Sequence, residues 1–217
     1  MTVATQRVAD HLRRAILGGA IAPGERVRQE DVAQQLGASR LPVREALQML
    51  AAEGLVEHEP NKGARVPWLS MHEVDVMYRM REQLEPLALG ESLPLLAPTD
   101  LVRLDEIQDE IESGVDVERF LTLDREFHLR TYSACAIDQL TTTVTRLWNS
   151  TQYYRRAFMQ ITGPSRRWVV NAEHRLLIDA VERRDEVDAG RLLAGHIRRT
   201  RIELLRHPEV FEKNVTR

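Results

Sequence analysis

At 217 residues, with 43% hydrophobic and 29% charged side chains, the chain reads as a soluble globular protein of one large or two small domains. No apolar run approaches the roughly 20 residues that cross a bilayer, the N-terminus has no secretory-type hydrophobic core, and a single Cys135 excludes an intrachain disulfide. The net charge of −3 rules out a polycation, and residues 1–68 carry +1 against −4 for the remainder, so any nucleic-acid binding must rest on a local basic face.

In chain order, Val8, Leu12, Ala15 and Ile16 predict a helix over Thr5–Leu17 that Gly18-Gly19 ends. Pro23-Gly24 is a turn before Arg26-Val27-Arg28. Two short helices follow in Gln29–Gly54: Val32, Ala33 and Leu36 stripe the first, and Val43, Ala46, Leu47 and Leu50 the second. Gly37 stands at the corner between them, where a positive φ costs glycine little. Ser39 is placed to cap the second helix, and Pro42 falls in its first turn. Arg40 and Arg44, four apart, share the face opposite the apolar stripe. A helix with two guanidinium forks near its N-terminus suits the DNA major groove, where Arg pairs with O6 and N7 of guanine or clamps phosphate. Beyond Gly54 the period changes to two: residues 55–59 and 64–66 flank Pro60-Asn61-Lys62-Gly63, predicting a two-stranded wing with Lys62 and Arg65 toward the phosphate backbone or minor groove.

The run LGASRLPVREALQMLAAEGLVEHEPNKGARV resembles the winged helix-turn-helix domain of the GntR family of bacterial transcription regulators, over residues 6–67. The resemblance implies DNA contact from Ser39, Arg40, Pro42 and Arg44 on the recognition helix and from Lys62 and Gly63 on the wing. Leu41 stands where the family usually has Thr, which points to a different operator preference.

After the short linker Pro67-Trp68-Leu69, Ser70 and Glu73 have the spacing of a capping box. From there the pattern is helical throughout: about 71–93, Pro98–Glu112, Val117–Ser133, Asp138–Ile161, Ser165–Arg183 and Glu186–Arg206, with Pro86 a potential kink in the first. The fold expected is mainly α, with a winged helix-turn-helix domain over 1–68 and an all-α antiparallel bundle over 69–217.

Within that bundle, Asp124 and His128 lie four apart on one helix and point the same way. His174 and His196 each stand eleven residues from the turn at Asp185. At a rise of about 1.5 Å per residue both sit roughly 16 Å from that turn, level with each other in an antiparallel hairpin. One carboxylate and three imidazoles suit a divalent transition metal such as Zn²⁺, Ni²⁺ or Mn²⁺ with positions left open. A lone core histidine is usually just hydrogen-bonded; three at matching levels beside an aspartate favour a metal. Residues 71–207 also resemble the FCD effector domain of the FadR branch, and length and helix count favour its six-helix, VanR-like form. Asp124-Arg-Glu-Phe-His128 matches that domain's D-x-x-x-H helix, and His174 and His196 its later histidines, so its metal-binding residues carry over to these four positions. In such domains the effector is typically a small carboxylate. Arg81 is the candidate partner for it, the alternative being an ion pair with Glu85; Asn149 and Tyr153 are further candidates for lining the pocket.

The function expected is a cytoplasmic, nucleoid-associated transcription regulator, more often of the repressor kind. It would bind palindromic operator DNA as a homodimer and respond to a small organic acid at the metal site. Two alternatives remain open: a metal that is structural or is itself the signal, and a metal-dependent hydrolase. The second is disfavoured because no H-E-x-x-H or paired E-x-x-H motif and no activated nucleophile is present.

Overall fold

Apolar stripes of helical period set most of the backbone, as the computed structural model shows for residues 2–59 and 63–212. Among the described residues there are nine α-helices and three short strands, and the chain divides into two compact units, residues 1–70 with 146–153 and residues 71–145 with 154–217. No helix among the described residues is long and apolar enough to cross a membrane.

The first unit begins with α1 (Val3–Leu17), whose N-cap Thr2 side chain accepts a hydrogen bond from the Thr5 amide. Then come β1 (Arg26–Val27), α2 (Gln29–Leu36), α3 (Arg40–Ala52), β2 (Glu57–Glu59) and β3 (Gly63–Arg65). Gly37 closes α2 in the left-handed conformation (φ 57°, ψ 38°), making the corner that the sequence predicts. Ser39 does occupy the N-cap of α3, but its side chain makes no capping hydrogen bond. Its hydroxyl is exposed at the mouth of the helix, so the corner is held by Gly37 and by packing rather than by that cap. Val8, Leu12, Val43, Leu47, Leu50 and Leu55 are buried together as the core of this unit.

The wing has one strand more than expected. The sheet is three-stranded and antiparallel, in the order β1-β3-β2, because Arg26-Val27 pairs with Ala64-Arg65 (Arg26↔Arg65, Val27↔Ala64). Gly63 faces Glu59 across the hairpin with φ 89°, a conformation that glycine adopts without strain. Lys62 lies outside the described residues.

The second unit contains α4 (Met71–Ser92), α5 (Pro98–Glu112), α6 (Val117–Thr131), α8 (Arg167–Glu182) and α9 (Glu186–Leu204), with the flanking parts of α7 (Asp138–Thr162). All six helices fall where the periodicity predicts, and α4 runs unbroken through Pro86. Asp116 caps α6 and Asp185 caps α9, each side chain accepting from a backbone amide three residues on.

Helix pairs are registered by ion pairs as well as by apolar contact. Arg201 on α9 reaches Asp75 and Glu82 on α4 at 2.7 and 2.5 Å, while Gly190 packs near Pro86; α4 and α9 therefore run antiparallel. Arg119–Glu110 and Arg103–Glu126 (2.9 Å) tie α5 to α6 in the same sense. Leu104, Ile107, Phe120, Leu123, Phe127, Leu177, Val181, Leu193 and Ile197 are buried in this bundle, and its polar cluster is embedded among them.

Candidate metal centre and nucleic-acid face

Four buried side chains from three helices converge in the bundle. Asp124 and His128 come from α6, His174 from α8 and His196 from α9, all at most 4% exposed, and one ligand atom from each lies within 4.8 Å of the others. The three imidazole centroids form a near-equilateral triangle with sides of 5.2, 4.9 and 5.0 Å. Asp124 Oδ1 faces His174 Nε2 at 3.8 Å and His128 Nε2 at 4.0 Å, too far for hydrogen bonds.

The rings are oriented from outside. His174 Nδ1 donates to Gln108 Oε1 at 2.8 Å, and Gln108 is itself turned by donating its amide to Glu112 at 2.9 Å. His196 Nδ1 donates to Glu173 Oε2 at 2.7 Å. In both rings Nε2 is left to point into the cluster, the arrangement that an acceptor on the far ring nitrogen imposes on metal-binding histidines. Phe127 stacks on His174 at 4.1 Å and fixes its plane.

Electrostatics keeps the donors available. Burial, then repulsion from His196, pushes His174 down to about 3, and burial, then the other two imidazoles, holds His128 well below its usual value. Both rings are therefore neutral at pH 7, with lone pairs on nitrogen. Burial works against charge on Asp124, but the Arg155 guanidinium leads the effects that outweigh it and hold the carboxyl below the usual range. His174 Nε2 and Asp124 Oδ1 are buried without a hydrogen-bond partner, although an orphaned polar atom in a core is costly. Nitrogen and carboxylate donors, deep burial and orphaned inward-facing atoms together fit a divalent transition metal.

The cluster borders a small pocket that Tyr78, Arg81, Arg155 and Thr200 also line. Arg81 is both things the sequence left open: it lines this cavity, and its Nε pairs with Glu85 at 2.6 Å. Tyr132 donates to the same Glu85 at 3.2 Å. Asn149 falls in the first compact unit, where its amide donates to the backbone carbonyl of Glu53 at 2.9 Å. Tyr153 is half-buried in that same unit. Arg81 thus shares a pocket with His128 and His196, whereas Asn149 and Tyr153 belong to the other compact unit.

On the first unit, an open groove runs between α3 and the wing, lined by Arg26, Arg28, Arg44, Gln48, His58 and Gly63 among others. Arg44 and Gln48 are exposed one turn apart on α3, and Arg40, three-quarters exposed, stays 3.5 Å from Glu30. Pro42 is half-buried in the first turn. Arg65 is turned inward: its Nε donates to Glu59 at 2.7 Å and its Nη1 to the Gly24 carbonyl, bracing the wing rather than facing outward.

Residues 4–66 match the bacterial regulatory proteins of the gntR family, and residues 76–199 match the FCD domain. The chain belongs to the GntR family. Among similar GntR proteins, the HTH-type transcriptional regulator McbR of Escherichia coli is 26% identical over 97% of this chain and 90% of its own. A regulator from an unstable DNA locus of Streptomyces ambofaciens is 31% identical over 92% of this chain and 86% of its own. The solved structure of E. coli McbR/YncC superposes with a TM-score of 0.81, covering 95% of this chain and 99% of that one. GntR helix-turn-helix domains bind DNA and FCD domains bind small-molecule effectors, often with a metal, so this is a DNA-binding transcriptional regulator with an effector domain and not an enzyme.

Sequence reading of this GntR regulator overlooked Arg155, Gln108, Arg26 and Arg28. Arg155 sits on the buried stripe of α7 with Thr151, Gln152, Phe158 and Met159, and its Nη1 pairs with Asp124 Oδ2. Gln108 likewise interrupts the buried stripe of α5 between Leu104, Ile107 and Ile111. A charged or amide side chain at a core position of a helical stripe was the available signal. Arg26 and Arg28 gave none, because their place in the groove depends on the pairing of β1 with β3.

Proposed function

We propose that this GntR regulator senses a small carboxylate at a divalent metal held by Asp124, His128, His174 and His196, and that the acid alters its affinity for a palindromic operator bound by a homodimer. The observation that carries the reading is the aim of the cluster: two imidazoles are clamped from behind by Gln108 and Glu173, and His174 Nε2 and Asp124 Oδ1 face inward unpartnered. When bound, the metal supplies open positions that an acid's oxygens can fill. Arg81, buried beside the cluster, is a charge-assisted partner for the same carboxylate. At the other end, Arg40 and Arg44 read base edges or phosphates from α3, with Ser39 and Pro42 at its start. Lys62, Gly63 and the wing contact the backbone, and Arg65 holds the wing in shape. Two equivalent recognition helices on a dimer occupy half-sites about one helical turn apart, in the cytoplasm where the operator lies.

Operator affinity measured for metal-free and metal-loaded protein, with and without candidate acids, tests the reading. The acid is expected to shift affinity only when metal is present, by a factor of about 5–150 for a typical coupling free energy. If metal alone releases DNA and no acid adds to that, the acid-sensing reading is wrong and the metal is the signal. A second check concerns ring orientation. Gln108→Leu removes the acceptor of His174 Nδ1, and chelator competition should show metal affinity falling roughly 10- to 100-fold. Unchanged affinity would mean that the amide does not position the ring.

A further inference from the structure

A second, larger cavity adjoins the cluster from another side. Its accessible volume is about 50 Å³, and Phe158, Met159, Val169 and Val170 supply apolar walls. Arg155 and Thr200 line both this pocket and the smaller inner one beside His128 and His196, so these two side chains stand between them. The outer cavity's charged lining is paired within itself: Glu173 with Arg199, and Glu203 with Arg166 at 3.4 Å. Arg167 donates to the Val115 carbonyl. Arg155 is the cation that reaches inward, through its ion pair with Asp124.

From this division into a cationic inner chamber and an apolar outer one, we propose that the effector is a monocarboxylate with an apolar body, its carboxylate lodged between Arg81 and Arg155 and its hydrocarbon part among Phe158, Met159, Val169 and Val170. The proposal rests on the acid-sensing reading above and narrows its ligand class. Arg155 exchanges Asp124 for the incoming carboxylate, so each anion keeps a positive partner throughout: the acid takes the guanidinium, and Asp124 is left to face the cation site. Hydroxylated or polycarboxylate acids are disfavoured, because the four apolar side chains would desolvate the extra polar groups without bonding them.

Calorimetric titration of straight-chain monocarboxylates from propionate to octanoate, with benzoate, lactate and citrate, into the manganese-loaded full-length protein tests this. Affinity should rise roughly fourfold per added methylene, equivalent to about 0.8 kcal/mol, until the outer cavity is filled. Lactate and citrate should bind more weakly than hexanoate. Val170→Trp, which fills the outer cavity, is expected to flatten the chain-length series. A flat or falling series in the wild-type protein, or tightest binding by lactate or citrate, overturns the apolar-body proposal while acid sensing survives. Failure of every acid to bind removes the acid-sensing reading and this proposal with it.

Discussion

His174→Ala is expected to bind metal at least about 100-fold more weakly than the parent protein, a larger loss than the removal of an outer partner causes. His174 stands 5.2 Å from His128 and 5.0 Å from His196 between ring centroids, and its Nε2 is the imidazole nitrogen nearest the Asp124 carboxylate. Replacing the ring also leaves Phe127 without its stacked partner and Gln108 without a donor, so some thermal stability will go with it. His174→Gln, which retains more volume, separates the two effects: it should keep more of the stability and still lose the metal. Metal content after dialysis, read by elemental analysis, is the deciding measurement. Full occupancy in either variant would overturn the ligand set.

The second large effect belongs to the DNA-reading end. Arg44→Ala should cost about 1–3 kcal/mol for each guanine its guanidinium pairs with, and the proposed homodimer would lose that at both half-sites. Arg44 is exposed on α3 and lines the groove with Arg26, Arg28 and Gln48, whereas the helix's apolar side is locked into the core through Val43, Ala46, Leu47 and Leu50. The variant should therefore fold as the parent does and fail only in binding. Salt dependence identifies the contact. A lost phosphate clamp lowers the salt slope by about one and weakens all sequences alike, while a lost base contact relaxes specificity at one position. Operator affinity within a factor of two of the parent would refute the assignment of α3 as the reading helix.

Much of this architecture was legible because it is local. The corner at Gly37 needs only a residue tolerant of positive φ followed by a new apolar stripe. The meeting of His174 and His196 needs only a rigid rise per residue and a turn at Asp185. What stayed hidden depends on partners distant in sequence. β1 is two residues long, too short to show a period of two, and it exists because β3, nearly forty residues later, accepts it. Arg65 reads as a free wing cation until Glu59 and the Gly24 carbonyl are seen to hold it. The role of Arg81 could not be decided from spacing, since Glu85 and the cavity lie on the same side of α4. Arg155 was hidden for a different reason: a buried carboxylate requires a cation, but nothing local says which helix supplies it.

The α8–α9 hairpin works as a caliper. Its two arms carry His174 and His196 level with each other, so sliding α9 by a single turn, about 5.4 Å, would carry one jaw out of reach of the other. A cation held by both jaws, as proposed, would therefore clamp α9 lengthwise. Arg201, farther along that arm, is anchored to Asp75 near the beginning of α4 and to Glu82 two turns on, so the clamp also sets the axial position of α4. On the proposed reading, a ligand that altered that grip would act on α9 along its axis, and through Arg201 on α4.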